Sequence, residues 1–212
     1  LTLGDIEPVY AYPSEIEAYG ISGAVEADEI KRLLTENPDA EAVILPSPNY
    51  YGICSDIEAI SRVVHEAGKI LIVDQAHGAH LSLFGKYSSG GMPPAAEDCG
   101  ADIVVNSTHK TLLSFTQSAV LNVVSDSVDL LRLEDRLQAV ESTSPSYILM
   151  ASLDINADIL SAHGREIIGS WDEAIDHFYK KAPDIRGLKV MAVPGHMDRT
   201  KLNIDMSGAG LT

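Results

Sequence analysis

Two short stretches of the sequence carry several side chains capable of chemistry directly after a largely apolar run. One cluster follows "DIVV" (residues 102–105), and the other follows "ILIV" (residues 70–73). The first cluster holds Ser107, His109 and Lys110, and the second holds Asp74, Ala76, His77 and His80. A lysine at a buried strand end is costly unless its amine reaches solvent or has a chemical task. Because ligands gather at the carboxyl ends of strands in open α/β sheets, we expect both clusters to face one crevice.

The residue types in the two clusters fit the chemistry of an aldehyde cofactor that carries a phosphate. The hydroxyl of Ser107 and the ring N–H of His109, with backbone amides at a helix start, could bind the phosphate. Lys110 could form a Schiff base with the aldehyde, and Asp74 could pair with a ring nitrogen. A carboxylate there keeps the nitrogen protonated, so that the ring can accept electrons from a bond broken at the substrate. This combination is the arrangement of pyridoxal phosphate enzymes.

Each of these residues also has a commoner role, and the residues alone leave other sites open. An Asp at a strand end more often caps a helix, and a lone Lys after a strand is more often solvated. His77 and His80 could bind a metal, although two histidines without further ligands usually do not. "IVDQAH" (72–77) is similar to the DExH box of helicase-type ATPases, but residues 1–73 contain no GxxxxGK[ST] segment for nucleotide phosphates.

Composition narrows the classes of function. The 212 residues, 45% of them hydrophobic, suffice for one full-sized domain, alone or with part of another. A net charge of −16 argues against a nucleic acid partner, because phosphate binding needs a basic surface. Cys54 and Cys99 form no CxxC motif, which favours a reducing, cytoplasmic location. We expect no membrane partner, since no apolar run reaches roughly 18 residues and no signal peptide opens the sequence.

The elements that position the two clusters follow from apolar periodicity and from helix-breaking residues. Ser55 and Glu58 predict a capping box for a helix that ends at Gly68. The predicted strands are 42–46, 69–73, 102–105 and 119–124, and further helices are predicted over 24–36 and 145–182, with candidate bends at Gly164 and Gly169. Apolar strands that alternate with helices indicate an α/β fold with a mostly parallel sheet flanked by helices.

The last part of the sequence changes in pattern. "KKAPDIRG" (180–187) breaks the long helix, and "GLKVMAV" and "KLNIDM" are typical of two strands of a smaller unit. We therefore expect residues 1–180 to be part of a large domain with a connecting helix, and residues 181–212 to begin a truncated C-terminal α+β domain. Because the sequence opens in mid-pattern and stops just after a strand-like run, we also expect a piece of a longer chain.

Five motifs, taken in order, resemble the bacterial Orn/Lys/Arg decarboxylase family, pyridoxal-phosphate enzymes of the aspartate aminotransferase fold type. The motifs are "SPNYYG", "VDQAHGAH", "GADIVVNSTHKTL", "TQSAVL" and "STSPSYILMASLD". They cover essentially the whole chain, and together they separate this family from ordinary aminotransferases. The resemblance implies that the large domain binds pyridoxal 5'-phosphate and that the chain forms a homodimer or higher homo-oligomer, with the site near the interface.

The resemblance also implies roles for individual residues of the second cluster and for the lysine. Lys110 corresponds to the lysine that binds the cofactor aldehyde, and Asp74 to the partner of the pyridinium nitrogen. Ala76 would pack beneath the ring, and His77 would lie beside its phenolic edge. The expected catalytic residues are therefore Lys110, Asp74 and His77, and no metal is expected.

The expected phosphate ligands come from the first cluster and from a later motif. Ser107 and His109 match two such ligands, and Ser142 would offer its hydroxyl to the phosphate of the neighbouring subunit or act as a helix cap. Two positions depart from the family pattern. Gln75 replaces a common Glu, with a side chain expected to point away from the ring, and Asn49 replaces the usual Thr of "SPTYYG", which leaves the substrate contacts of that loop open.

The reaction implied by the resemblance is the α-decarboxylation of a basic amino acid to an amine and CO₂. Arginine or lysine is the favoured substrate, and ornithine is a third possibility. The residues of the five motifs do not distinguish among these substrates. The family's glycine-rich phosphate loop and ring-stacking histidine have no counterpart in this sequence. Two alternatives therefore stay open, a non-catalytic or dimerisation part of such an enzyme and a DExH-type ATPase.

Overall fold

The computed structural model describes residues 4–88, 90–191 and 196–210 as an α/β structure. Its helices are α1 (Ala27–Glu36), α2 (Ile57–Glu66), α3 (Leu81–Tyr87), α4 (Thr108–Thr111), α5 (Leu130–Val140) and α6 (Tyr147–Lys181). Its strands are β1 (Glu15–Ile16), β2 (Ile21–Ser22), β3 (Ala42–Pro46), β4 (Ile70–Asp74), β5 (Ile103–Asn106), β6 (Val120–Val123), β7 (Lys189–Val190) and β8 (Ile204–Asp205).

The central sheet has four strands in the order β3, β4, β5, β6. β3, β4 and β5 are parallel, whereas β6 pairs with β5 in the antiparallel sense. The prediction of a mostly parallel sheet flanked by helices is confirmed, with an antiparallel strand at one edge. Because the first three strands are parallel, their carboxyl ends at Pro46, Asp74 and Asn106 lie along one edge of the sheet.

The main core forms where α1 and α2 pack against the sheet. Both helices space their apolar residues three and four apart, so each presents one apolar stripe. The buried residues of this cluster include Leu45, Leu71, Val73 and Val104 from the strands and Ile30, Leu34, Ile60 and Val64 from the helices. A second cluster joins α3 to α6 through Phe84, Ile168 and Ile175. β4 and β5 are mostly buried or half-buried, whereas β3 buries only Leu45 and leaves Ile44 67% exposed, and β6 contains no buried residue.

The start of α2 differs from the sequence prediction. Asp56, not Ser55, caps this helix, because its carboxylate accepts a hydrogen bond from the Ala59 amide at 3.0 Å. Ser55 is buried, and its hydroxyl instead accepts a hydrogen bond from the Val25 amide at 3.0 Å. The predicted capping box is wrong because the Ser55 hydroxyl is already hydrogen-bonded to a backbone amide 30 residues away along the chain.

The long helix α6 continues through both glycines that were candidate bends. A Cβ atom at Gly164 would lie 2.9 Å from Cε2 of Tyr87, so the glycine makes room for the last residue of α3. Around Gly169 the space is open. Although α6 is 35 residues long, none of the described helices is both long and apolar enough to cross a membrane.

After α6 the chain forms the small antiparallel pair of β7 and β8. Both strands were predicted, but each covers only two residues, and residues 192–193 of the first predicted strand lie outside the described residues. The division into a large domain over 1–180 and a smaller domain over 181–212 stays a prediction.

A buried polar network, the Glu97 clamp (Gln75, Glu97, Asn106 and Asn122), joins the sheet strands beside their ends. The Glu97 carboxylate accepts hydrogen bonds from the side-chain amides of Gln75 at 2.8 Å, Asn106 at 2.6 Å and Asn122 at 3.0 Å. The Gln75 side chain also donates to Asn106 Oδ1 at 3.1 Å. Hydrogen bonds to an ionised carboxylate are stronger than those between neutral groups. Gln75 therefore points into the protein, while Asp74 beside it is exposed.

The clamp predicts a pH-dependent loss of stability for Gln75→Glu. The substitution replaces a donor 2.8 Å from the Glu97 carboxylate with a second carboxylate. We expect the free energy of unfolding to fall by roughly 2 kcal/mol or more at neutral pH. Burial and repulsion raise the folded-state pKa of the introduced carboxyl, so the folded state binds a proton more readily than the unfolded chain. The loss should therefore grow as pH rises and shrink below about pH 5.

The measurement is urea unfolding of both proteins from pH 5 to pH 8. Gln138→Glu, at an exposed position of α5, is the matched control, because it makes the same chemical change away from the clamp. An equal loss of stability in the two variants, or a loss that does not depend on pH, would contradict this account of the clamp.

Candidate functional site

Asp74 ends β4 at the edge of the sheet where the parallel strands finish. Its neighbours in register are Pro46 on β3 and Val105 on β5. The side chain is exposed, and its Oδ1 atom accepts a hydrogen bond from the Ala76 amide at 3.0 Å. This bond fixes the carboxylate at the strand end and leaves its second oxygen available to a ligand. Ala76, which follows, is half-buried.

The first cluster, that of Ser107, His109 and Lys110, follows β5 directly. Ser107 precedes α4, a single helical turn, and its side chain makes no capping hydrogen bond. Its carbonyl accepts the Lys110 amide at 3.0 Å, so the two residues lie on one tight turn. The Lys110 side chain is exposed. The desolvation cost expected for a lysine at a buried strand end is therefore absent from this structure.

His109 is held in one tautomer by a backbone carbonyl. Its Nδ1 atom lies 2.7 Å from the Ser118 carbonyl oxygen. Since a carbonyl oxygen can only accept, Nδ1 carries the hydrogen. The Nε2 atom then accepts hydrogen bonds in the neutral ring and donates only in the charged imidazolium. A phosphate bound at Nε2 therefore requires the charged form of His109.

His77 links the two clusters electrostatically. Its ring is half-buried and edge-on to Tyr50, with 5.8 Å between the ring centroids. Burial lowers the pKa of His77, and the positive charges of Lys110 and Lys201 lower it further, whereas Asp74 acts in the opposite direction. The neutral ring is thus favoured near neutral pH. Charges from both clusters therefore act on the pKa of His77, and a common crevice for the two clusters stays a prediction.

His80, the second histidine of "HGAH", lies apart from these residues. It is fully buried, its Nε2 atom is 3.2 Å from Asp198 Oδ2, and it stacks near Trp171. His77 instead faces Lys201, so the two histidines do not turn toward a common ligand. Within residues 4–88, 90–191 and 196–210, no group of three or more His, Cys, Asp or Glu side chains is placed to hold a metal ion.

Ser142 is exposed in the connection between α5 and α6. Its Oγ atom accepts a hydrogen bond from the Ser144 amide at 3.2 Å, which is a local turn contact. Among the described residues, no hydrogen bond joins it to either cluster. The cap of α6 is Ser146, whose hydroxyl accepts the Leu149 amide at 3.4 Å. Ser142 is therefore not the cap of that helix within this chain.

The side chain of Asn49 forms hydrogen bonds with the backbone of its own loop and of a neighbouring segment. Its Oδ1 atom accepts the amides of Tyr51 and Ile53, each at 3.0 Å, and its Nδ2 atom donates to the Ser22 carbonyl at 2.9 Å. Both ends of the side chain are thus engaged in shaping "SPNYYG".

Sequence reasoning missed one charged residue near the site and the network behind it. Lys201 follows Asp198 and Arg199 in "DRTK", a cluster of charges that could have been noticed, but no local pattern places it beside residue 77. The Glu97 clamp was missed for the same reason, because its partners lie 9 to 25 residues apart along the chain.

The candidate site is an open surface at the strand ends. A separate, partly open cavity is lined among others by Cys54, Gln75, Cys99 and His196. None of the predicted site residues lines it.

Comparisons with known proteins point to one family. Residues 1–202 match the family model of the Orn/Lys/Arg decarboxylase major domain. The chain is 31% identical, over 212 residues, to an arginine decarboxylase of Bacillus subtilis (strain 168), and the match covers 97% of this chain and 42% of that protein. This chain thus spans less than half the length of that curated relative.

Solved structures agree on the fold. The Francisella novicida lysine decarboxylase LdcF superimposes with a TM-score of 0.65 at 24% identity, covering 90% of this chain and 28% of that one. A PLP-bound putative aminotransferase from Clostridium difficile 630 gives a TM-score of 0.59 at 15% identity, covering 97% of this chain and 52% of that one. With an α/β sheet of this topology and a family match over residues 1–202, the chain belongs to the Orn/Lys/Arg decarboxylase family.

Proposed function

We propose that this chain provides the pyridoxal phosphate site of an enzyme that decarboxylates a basic amino acid. The observation that carries the proposal is the placement of Asp74 at the end of β4 and of Lys110 four residues after the end of the adjacent parallel strand β5, with the charges of both acting on His77. Membership of the Orn/Lys/Arg decarboxylase family supports it, as does the likeness to proteins named arginine and lysine decarboxylases. The ATPase alternative has no such support.

The donor set fits this cofactor in charge and in chemistry. Asp74 keeps one carboxylate oxygen available for a cationic ring nitrogen, and Lys110 presents an exposed amine to an aldehyde. The hydroxyl of Ser107 and the Nε2 atom of His109 suit a phosphate. Asp74 and His109 are each fixed by a hydrogen bond, Asp74 by one from the Ala76 amide and His109 by one to the Ser118 carbonyl.

In the proposed reaction the cofactor, when bound, accepts the electrons of the bond that joins the substrate carboxylate to Cα. Asp74 stays ionised and holds a proton on the ring nitrogen. Lys110 would hold the cofactor through its aldehyde when no substrate is bound, and its amine would supply the group that releases the product. The neutral ring of His77 offers one nitrogen as a donor, and His109, in its charged form, binds the phosphate.

The substrate we propose is arginine or lysine, with ornithine as a third candidate. The net charge of −16 favours the approach of a cationic substrate through weak electrostatic steering. The names of the similar proteins include both an arginine and a lysine decarboxylase, so they do not choose between the two. We also propose a cytoplasmic location, on the basis of the free cysteines Cys54 and Cys99.

We further propose that the chain forms a homodimer through the surface of α5 and the start of α6. α5 has no buried residue, and large apolar side chains are exposed along this surface. They are Leu130, Leu131, Val140, Tyr147, Ile148, Met150 and Ile155. Ser142 lies in the same exposed stretch, where a second copy of the chain could receive its hydroxyl.

The first test of the proposal concerns Lys110. Borohydride reduction of the protein loaded with pyridoxal phosphate should fix a pyridoxyl group on the peptide that contains Lys110, because a Schiff base is reduced to a stable amine. Mass spectrometry of the digest reads out the position. Lys110→Ala is the control and should lose the label. A label on Lys69, Lys86 or Lys201 instead would refute the assignment.

The second test concerns Asp74. Asp74→Asn keeps an oxygen for the Ala76 amide but removes the charge, so the fold should persist. For the full-length enzyme, we expect the decarboxylation rate to fall roughly 100-fold or more, since one such electrostatic contribution is commonly worth a few kcal/mol. The 212 residues alone are expected to be inactive. Asp158→Asn, on an exposed part of α6, is the matched control. Near-normal turnover of arginine or lysine by Asp74→Asn would count against the role.

The third test concerns the dimer. The double variant Leu131→Glu with Ile148→Glu places two charges on side chains that are 80% and 69% exposed in the single chain. If a partner buries both, dimerisation should weaken by about 100-fold or more, since each buried side chain is worth roughly 1.5–3 kcal/mol. Tyr10→Glu with Tyr12→Glu adds the same charge outside this surface. Equal dimerisation of both double variants in sedimentation experiments would refute this interface.

A further inference from the structure

A segment near the end of the described chain, the docked segment (residues 196–203), lies against the loop "YYGIC" and forms an antiparallel β-bridge between Met197 and Ile53. The Cys54 amide donates to the His196 carbonyl, and the Asp198 amide donates to the Gly52 carbonyl, both at 2.8 Å. The Asn203 side chain donates to the Tyr51 carbonyl at 2.7 Å. Backbone hydrogen bonds of this kind fix the register of the segment against the loop.

Asp198 anchors the docked segment in the protein interior. Its side chain is fully buried, with Oδ2 lying 3.2 Å from Nε2 of His80. Its Oδ1 atom accepts hydrogen bonds from the amide and the hydroxyl of Thr200, at 2.9 Å and 2.7 Å. Burial raises the pKa of Asp198, but the contacts with His80 and Thr200 outweigh it, so the pKa is held below its ordinary value. The ionised anchor therefore fixes the turn that leads to Lys201.

Lys201 is placed by packing at Gly52. This glycine has φ = +85°, and a Cβ atom there would lie 2.6 Å from Cγ and 2.8 Å from Cβ of Lys201. The lysine stem thus occupies the space that a side chain at residue 52 would fill. Its Nζ atom lies 3.5 Å from Nδ1 of His77.

We propose that Lys201 is a positioning residue for His77, which it holds as the neutral tautomer with the hydrogen on Nε2. An ammonium group can only donate, so the nitrogen that faces it must accept. Nδ1 therefore carries a lone pair, and the single hydrogen of the neutral ring sits on Nε2. Under the function proposed above, on which this use of the residue rests, Nε2–H is the donor that His77 offers to the cofactor.

The other charges around His77 agree with this arrangement. Lys110, from α4, adds a second positive charge that disfavours the imidazolium, and burial acts in the same direction. Asp74 on β4 and Asp198 in the docked segment act the opposite way, but the pKa of His77 is lowered on balance. The ring of Tyr50 also lies next to His77, at nearly a right angle and with 5.8 Å between the ring centroids.

The test is nuclear magnetic resonance of the imidazole nitrogens, which reports tautomer and titration without any cofactor. In the wild-type protein we expect the Nε2–H pattern for His77. Lys201→Met keeps the stem that packs at Gly52 and removes the ammonium, so it should fold, raise the pKa of His77 and allow the Nδ1–H tautomer. Lys201→Arg should keep the wild-type pattern. Lys189→Met, which removes a lysine from β7, should also leave it unchanged.

Three results would overturn the proposal. One is a wild-type ring with its hydrogen on Nδ1, and another is an unchanged tautomer and pKa of His77 in Lys201→Met. The third is an equal change in Lys189→Met, which would point to overall charge instead of a local contact. If Lys201→Met did not fold, Lys201→Gln would replace it in the experiment, with the same expected change in the tautomer and pKa of His77. None of these measurements uses the cofactor. This proposal can therefore fail independently of the proposed function, which the labelling of Lys110 tests.

Discussion

The arrangement of the site depends on one half-buried carboxylate, that of Glu97. By accepting hydrogen bonds from Gln75, Asn106 and Asn122, it joins residues beside the ends of β4 and β5 to β6. Asp74 directly precedes Gln75, and Ser107 directly follows Asn106. The residues proposed to hold the two ends of a cofactor are thus each one peptide bond from a side chain of the same clamp. A charge held by three amides in a half-buried place resists both rotation and strand slippage.

The docked segment adds a second constraint, from the far end of the chain. "HGAH" divides its two histidines between different tasks: His77 faces the open strand ends, and His80 secures Asp198 inside the protein. The two histidines could have bound a metal ion. Instead, each contacts the docked segment, about 120 residues later in the chain, and so connects that segment to the edge of the sheet. Asp198 lies only three residues before Lys201, in a short turn that Thr200 closes with hydrogen bonds to the Asp198 carboxylate. This anchor places Lys201 near His77.

Local pattern predicted the elements and the chemistry but not the long-range contacts. The strand over 42–46 was predicted at its observed bounds, since five apolar residues between turn signals allow little else. The predicted capping box of α2 was wrong because the Ser55 hydroxyl accepts a hydrogen bond from the Val25 amide. The residues next to the helix give no sign of this contact. The residues near Asp74 and Lys110 could be named from type and spacing and from the family resemblance. Glu97 and Lys201 could not, since their partners are fixed only when the chain folds.

The central claim is that Asp74 and Lys110 hold opposite sides of one pyridoxal phosphate. A crystal structure of the protein grown with that cofactor tests the claim most directly. The account predicts electron density continuous from Lys110 Nζ into the cofactor, with the ring nitrogen at a hydrogen-bonding distance of about 2.7–3.2 Å from the Asp74 carboxylate. Density that joins the cofactor to another lysine, or a ring nitrogen that faces a group other than Asp74, would contradict it.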